Sequence, residues 1–543
     1  MTNTLNKTIP PYQRAILKSH LCANGIELKQ LDRPLIAVAN SWNEIVSGHV
    51  HLRQVAEKIK QGILSAGGYP LEFNTIAVCD GIAQGHDGMR YSLPSREVIA
   101  DSVEIMVRGH GIFDAMVLIA SCDKIVPAML MAAARLNLPA IIVTGGPMIN
   151  QITPRESKKA RQAFMAGAIG EKELVCRTLE YYPGPGICPF LGTANTMCLL
   201  TEAMGLSLSG MALAPANSAR AMHLAELSGQ KAVELAREQL RPRQILTKEA
   251  LENAITVLAA MGGSLNSVLH LLALAKEAEV PLTLADFHRV SSNTPLLTAI
   301  APNSLDHTVV DLEQAGGLRG LMQELKPLLH QDCITVTGQR IGEILQEPVP
   351  VNHEIIRPLA DPLAKEGGIV ILKGSLAPDG ALIKVSAIPG ETRYFRGPAR
   401  VFASEEEAIA ASQQKLIQTG DVVVVRGEGP IGGPGMRELH RLTEITQQIP
   451  ATAIVTDGRF SGATSGFAIG YVSPEAAAGG PISLVQDKDI IEIDTRQGRI
   501  DLLVEAEELG RRFSRREQKD VLPGYLQVYR EHVSTADLGA IRR

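Results

Sequence analysis

Two short segments of this chain join side chains that prefer different metals. Cys122-Asp123-Lys124 follows an apolar run over residues 113–121, and Cys79-Asp80-Gly81 follows a second run over 73–78. A thiolate is a soft ligand suited to iron, whereas a carboxylate is a hard ligand suited to magnesium or manganese. Apolar runs bounded by polar residues read as buried strands. Each Cys-Asp pair therefore falls at a strand-to-loop junction, where open α/β sheets put their ligands. A single such pair reads better as an ordinary buried cysteine. Two pairs at matched strand ends read as a pocket that could hold two unlike metals.

Other segments add candidates. Cys188 sits in a Gly/Pro loop, Gly186-Ile-Cys-Pro-Phe-Leu-Gly192, just before a helical stretch. A helix N-terminus stabilises a thiolate there, so ligation and core packing stand level. Glu438 follows the glycine-rich run 427–436 and offers a hard oxygen, although taken alone it reads as a solvated charge. The glycine run itself reads as a turn or, because glycine lets amides approach an anion, as a phosphate cradle. It lacks the Lys-Ser/Thr ending of a P-loop. Ser461 lies in Thr456-Asp-Gly-Arg-Phe-Ser-Gly462 after a strand-like run, the setting of a nucleophile, a base or a plain turn. His49 and His51 read equally as pocket residues and as hydrogen-bonded loop histidines. Cys22, Cys176, Cys198 and Cys333 have no partners in the pattern, and the absence of Cys-x-x-Cys argues against a ferredoxin or zinc-ribbon site.

The surrounding chain must position these groups. Strand-like runs at 34–40, 73–78, 115–120 and 140–145 alternate with helical runs at 51–66 and 95–108. Such alternation predicts right-handed crossovers and a mainly parallel sheet covered on both faces. Residues 190–345 read as mostly helical, with apolar spacing at 197–208 and 266–278. The proline-rich stretch 346–353 marks a boundary, dividing an α/β part, 1–350, from 351–543. Beyond it, short β-rich runs at 368–373, 381–385, 421–426, 453–456, 490–494 and 499–504 suggest a β-barrel or sandwich. The last two form a hairpin, and 505–519 reads as a charged helix. There is no fixed-period repeat and no low-complexity tract.

Bulk properties narrow the class. With 543 residues the chain exceeds a single core, and two domains are natural. A net charge of −5, with no basic block and 4% aromatic residues, argues against nucleic acid as a partner. No run approaches the roughly 18 apolar residues that span a bilayer. The start of the chain has no apolar signal core. Seven cysteines, an odd number without a secretion signal, suggest reduced thiols and a cytoplasmic setting.

Longer motifs carry a resemblance. They are residues 79–97, beginning Cys-Asp-Gly-Ile-Ala-Gln-Gly-His-Asp-Gly and ending Tyr-Ser-Leu-Pro-Ser-Arg-Glu; Cys122-Asp-Lys-Ile-Val-Pro127; Gly192-Thr-Ala-Asn-Thr196; Thr456–Gly462; and Ser473-Pro-Glu-Ala-Ala477. Over nearly its whole length the chain resembles the dihydroxy-acid dehydratase / phosphogluconate dehydratase family, and most closely its branched-chain side. The resemblance implies an α/β protein with an N-terminal three-layer α/β/α domain and a C-terminal β-barrel domain. It also implies a homodimer or dimer of dimers, and an iron–sulfur cluster beside Mg²⁺. Cys122 and Cys188 would hold the cluster. Asp80, Asp123, Glu438 and Lys124 would hold Mg²⁺, with Lys124 carrying CO₂ as a carbamate, and Ser461 would be the base.

Some positions depart from the family pattern. Gly48 stands where many relatives with a two-iron cluster carry a ligand cysteine, which leaves Cys79 as the third thiolate and favours [4Fe–4S] over [2Fe–2S]. Leu265 and Tyr471 stand where the dehydratases usually show Thr and His, and Pro-Phe-Leu-Gly after Cys188 looks closer to the phosphogluconate side. The implied reaction is dehydration of a 2,3-dihydroxy acid to a 2-keto acid. The substrate would be 2,3-dihydroxy-isovalerate or its methylvalerate homologue in valine and isoleucine synthesis; the alternative is an aldonic sugar acid. A non-enzymatic iron–sulfur redox sensor fits less well, because it has no use for the carboxylates and Ser461.

Overall fold

Residues Ala115–Ala120 form a strand, β3, that is buried at every position, so both faces of its sheet must be covered. A computed structural model describes residues 3–388, 392–439, 441–443, 449, 451–460, 466–512, 518–521 and 523–542. Within it β3 lies beside β1, Leu35–Asn40, and β4, Ala140–Thr144, with β2, Tyr69–Asn74, at the edge. The order is β2-β1-β3-β4 and every pairing is parallel. The aliphatic runs and the alternation with helices demand this arrangement.

Helices Leu52–Ser65 and Ala219–Glu238 cover one face, and helices Ser92–His110 and Ile125–Leu136 the other. The first pair approaches unusually closely. A Cβ on Gly62 would lie 1.9 Å from the Glu226 carbonyl oxygen, and one on Gly229 would lie 2.1 Å from that of Ile59. Glycine at both contact points is therefore a packing requirement. Helix Asn266–Ala278 packs on Ile125–Leu136 and extends the same core.

The second sheet comprises β5, Ile369–Leu372; β6, Gly380–Lys384; β7, Tyr394–Phe402; β8, Val422–Val425; β9, Ala453–Thr456; β10, Phe467–Ser473; β11, Ile490–Asp494; and β12, Arg499–Leu503. Its order is β12-β11-β7-β8-β9-β10-β6-β5. A bridge between Lys373 and Arg499 brings the two ends together, so the barrel is nearly closed. Ile383, Val422, Val424, Val455, Ile469 and Ile491 fill its interior. Leu382 joins the first core instead, as period-two alternation requires, and so does Tyr471, because the strand shifts register after Gly470 and Tyr471 takes the left-handed conformation, φ 60°. Residues 525–542 also return to the first core. Tyr529, Val533 and Ala540 pack in it, and the buried Arg96 donates to the carbonyls of Gly539 and Ala540 at 2.9 and 2.8 Å.

Three details depart from the sequence expectation. The strand expected at 73–78 lies at Tyr69–Asn74, because β1 offers its last partner at Asn40. Residues 75–79 beyond it are not strand and lead toward the site, with the Thr75 amide still donating to the Asn40 carbonyl at 2.9 Å. Strands β7 and β10 were not apparent as runs: Gly397 and Pro398 interrupt the first, and Gly470 the second. The charged helix expected over 505–519 is confined to Ala506–Arg511, and 513–517 lie outside the described residues. Among the described residues no helix is long and apolar enough to cross a membrane.

Candidate active site

The carboxyl ends of β1 and β3 meet the long segment after β2, and this convergence gathers the Cys-Asp pairs. Cys79 precedes a one-turn helix, Asp80–Ala83, and burial pushes its thiol above the usual range. Cys122 takes the left-handed conformation, φ 63°, two residues after β3. Such a conformation is costly for a residue with a side chain, and it persists only where the surroundings impose it.

Cys188 completes the thiol group. The Asn195 amide pins its loop by donating to the carbonyls of Cys188 and Phe190 at 2.7 and 2.8 Å. Burial first, and then Cys79 and Cys188, push the Cys122 thiol well above its usual range. Burial and then Cys79 push Cys188 up to about 12. The three sulfurs therefore sense one another. Gly48 also reaches this spot, since a Cβ there would lie 2.7 Å from the Cys122 sulfur. The loop that could have carried another thiol does arrive at the group, but its glycine brings only backbone.

The carboxylates Asp80, Asp123 and Glu438 offer oxygens within 4.8 Å of one another. Asp80 is fully engaged: Ser92 Oγ donates to Oδ1 at 2.7 Å and Lys124 Nζ to Oδ2 at 2.7 Å. Burial works to raise the Asp80 pKa, yet Lys124 and Arg459 hold it below the ordinary value. Lys124 lies 3.9 Å from Asp123. Burial and then Asp80 raise Asp123 to about 7. Thr193 lies beside Asp123 and draws its pKa down in part.

Glu438 comes from the second half of the chain. It forms a bridge with Arg459, whose guanidinium pairs with Glu438 Oε1. Asn266 Nδ2 donates to the same oxygen at 2.9 Å and to Thr193 Oγ1 at 3.0 Å, and Tyr471 donates to Asn266 Oδ1. A hydrogen-bonded chain thus runs from β10 through the start of helix Asn266–Ala278 to the acid cluster. Such outer contacts fix the orientation of ligand side chains.

Three sulfurs beside three carboxylates form the donor set that an iron–sulfur cluster and a divalent hard cation require. Asp80 and Asp123 each adjoin a cysteine of the thiol group, so the residues fit both groups. Cys79 joins Cys122 and Cys188. Cys176 is exposed, and Cys22, Cys198 and Cys333 do not enter the thiol group. Ser461 lies outside the described residues, directly after Phe460, which is buried.

Several alternatives from the sequence are settled by hydrogen bonds. His49 meets the carbonyls of Ser41 and Ser121 at 2.7 and 3.1 Å, and His51 meets Gly145 at 2.8 Å. Burial pushes His49 down to about 4 against the two carbonyls that raise it, and both histidines serve as loop pins. The glycine run 427–436 is not a free phosphate cradle. Its amides at Gly427 and Glu428 donate to Asp457, and those at Ile431 and Gly432 donate to Glu475. Arg459, Ser92 and Asn266 were not singled out as functional from sequence. A signal for Arg459 existed, since it lies two positions before Ser461 in the same motif.

The family model described as dihydroxy-acid/6-phosphogluconate dehydratase N-terminal matches residues 33–344, and its C-terminal counterpart matches 354–540. A dihydroxy-acid dehydratase of Ignicoccus hospitalis is 51% identical over 95% of this chain and 96% of its own length. Those of Pyrococcus furiosus and Pyrococcus abyssi are 50% and 49% identical over 98% of both chains. With a buried acid cluster beside three thiols and both halves matched end to end, the chain belongs to the dihydroxy-acid/6-phosphogluconate dehydratase family.

Proposed function

We propose that this chain is a hydro-lyase that removes water from a 2,3-dihydroxy carboxylic acid to give a 2-keto acid. Its substrates would be 2,3-dihydroxy-isovalerate and the methylvalerate homologue, in valine and isoleucine synthesis. One observation carries the reading. Asp80 and Asp123, two of the three clustered carboxylates, each directly follow a cysteine of the thiol group, so one pair of loops presents hard and soft ligands together. The names of the full-length relatives support the substrate class.

Mg²⁺ on Asp80, Asp123, Glu438 and a Lys124 carbamate would supply Lewis acidity, and a [4Fe–4S] cluster on Cys79, Cys122 and Cys188 would supply an iron that binds hydroxyl. The remaining roles belong to the chain. Thr193, Asn266 and Tyr471 hold the carboxylates in register. Ser461 would accept the C2 proton, hydroxide would leave C3, and the enol would take a proton at C3 while losing one from its oxygen. No electron is gained or lost.

Exposed Ile45, Ile76 and Ile82, on segments flanking Gly48 and Cys79, support a homodimer that covers this side. The seven free thiols support a reducing, cytoplasmic setting. Anaerobically purified protein given Mg²⁺ and CO₂ should form 2-keto acid from 2,3-dihydroxy-isovalerate far faster than from gluconate. Conversion of gluconate alone, or of neither, would refute the reading.

A further inference from the structure

Arg459 is wholly buried, and its guanidinium nitrogens have unequal fates. Nε donates to the Met436 carbonyl at 2.6 Å, and Nη1 pairs with Glu438, but Nη2 has no hydrogen-bond partner among the described residues. A buried guanidinium nitrogen left without an acceptor is costly, and native structures rarely keep one without a reason. Its surroundings narrow what could complete it. Glu438, Asp80, Tyr471 and Asp123 are the groups that raise its pKa, so the guanidinium sits against the acid cluster. Asp80 meets Ser92 and Lys124 through its two oxygens, and it makes no hydrogen bond to Nη2. A cation cannot ligate Nη2. Among the described residues no acceptor meets Nη2, which leaves it open to one that arrives from outside, and a guanidinium nitrogen with two hydrogens best matches a carboxylate or phosphate oxygen.

We infer that Arg459 is a substrate-binding residue whose Nη2 receives a carboxylate oxygen of the dihydroxy acid while Nη1 holds Glu438. This rests on the dihydroxy-acid reading above. Three acids crowd the pocket, and Arg459 adds a fixed positive group beside them that holds one end of an anionic molecule. Fixing the carboxylate also sets which carbon lies over the acid cluster.

The test compares binding of the 2-keto acid product with binding of its neutral carboxamide, by calorimetry on the metal-loaded protein. Wild type should favour the carboxylate by about tenfold to a hundredfold, the range of a charge-assisted hydrogen bond. Arg459→Gln should lose most of that preference yet bind the carboxamide as wild type does. Arg459→Lys, which keeps the charge without the fork, should fall between and raise KM more than it lowers kcat. If Arg459→Gln does not hold its metals, the Arg459→Lys comparison decides alone, and an undiminished preference there overturns the inference. Equal weakening of both ligands also overturns it, since Nη2 would then serve only a bound water. These binding data do not depend on turnover, so a wild type inactive on every dihydroxy acid would refute the functional reading separately.

Discussion

Lys124 Nζ and Asp80 Oδ2 form a 2.7 Å ion pair from which solvent is almost wholly excluded. Breaking such a pair from one side leaves an uncompensated buried charge. Lys124→Met should therefore lower the stability of the metal-free protein by about 3–5 kcal/mol in denaturant titration. Lys124→Arg should fold but remain inactive, because guanidinium neither forms a carbamate here nor ligates a cation. Unchanged stability in Lys124→Met would mean that Ser92 and Arg459 suffice to hold Asp80.

Glu438→Gln should lose Mg²⁺ and turnover while the iron–sulfur absorbance stays largely in place, since oxygen and sulfur ligands serve different metals. Elemental analysis beside the visible spectrum reads both at once. A variant that retains Mg²⁺ removes Glu438 from the ligand set.

Cys79→Ser should assemble little or no stable cluster, whereas Cys22→Ser, Cys176→Ser and Cys333→Ser should assemble it normally. Iron and sulfide contents with EPR of the reduced proteins give the answer. A full cluster in Cys79→Ser would exclude that thiol.

Ser461→Ala should keep both metals but lose about 10²–10⁴-fold in rate, the range of a general base. Exchange of the C2 proton with deuterated solvent should vanish with it. Continued exchange in the variant would point to another base.

Glu475 accepts amides of the glycine run, and burial together with Asp457 raises its pKa to about 8. An acid raised on folding binds more protons in the native state, so its contribution to stability falls as pH climbs from its unfolded value toward 8. Glu475→Gln should therefore gain stability relative to wild type between pH 5 and pH 8. Parallel pH profiles for the two proteins would show that Glu475 is ionised throughout.

The sequence disclosed more of the first sheet than of the second. Residues 115–120 and 453–456 read as strands because β-branched and aliphatic residues run unbroken there. Strand β7 stayed hidden because Pro398 and Gly397 break its pattern, while its partners on both sides hold it extended. In the site, Cys79-Asp80 and Cys122-Asp123 were legible because each pair is local. The meeting of Glu438 with Asn266, and of Tyr471 with Asn266, joins residues 172 and 205 positions apart, and no local spacing encodes it. Arg459 was obscured differently: a lone arginine in a turn looks solvated until burial on all sides is known.

The tail that supplies carbonyls to Arg96 makes the barrel an insertion in an otherwise continuous packing unit. The polypeptide builds the first core, still packs on it at Ile356, Ile369 and Ile371 beyond the proline-rich stretch, completes the second sheet and returns through 525–542. A fragment cut at the proline-rich junction would thus lack material that its own interior needs: Arg96 would lose two acceptors, and the surface at Ala273 would lose Gly539, which sits against it. Co-expressed halves should recover solubility only when the returning segment is grafted onto the first piece or supplied in trans.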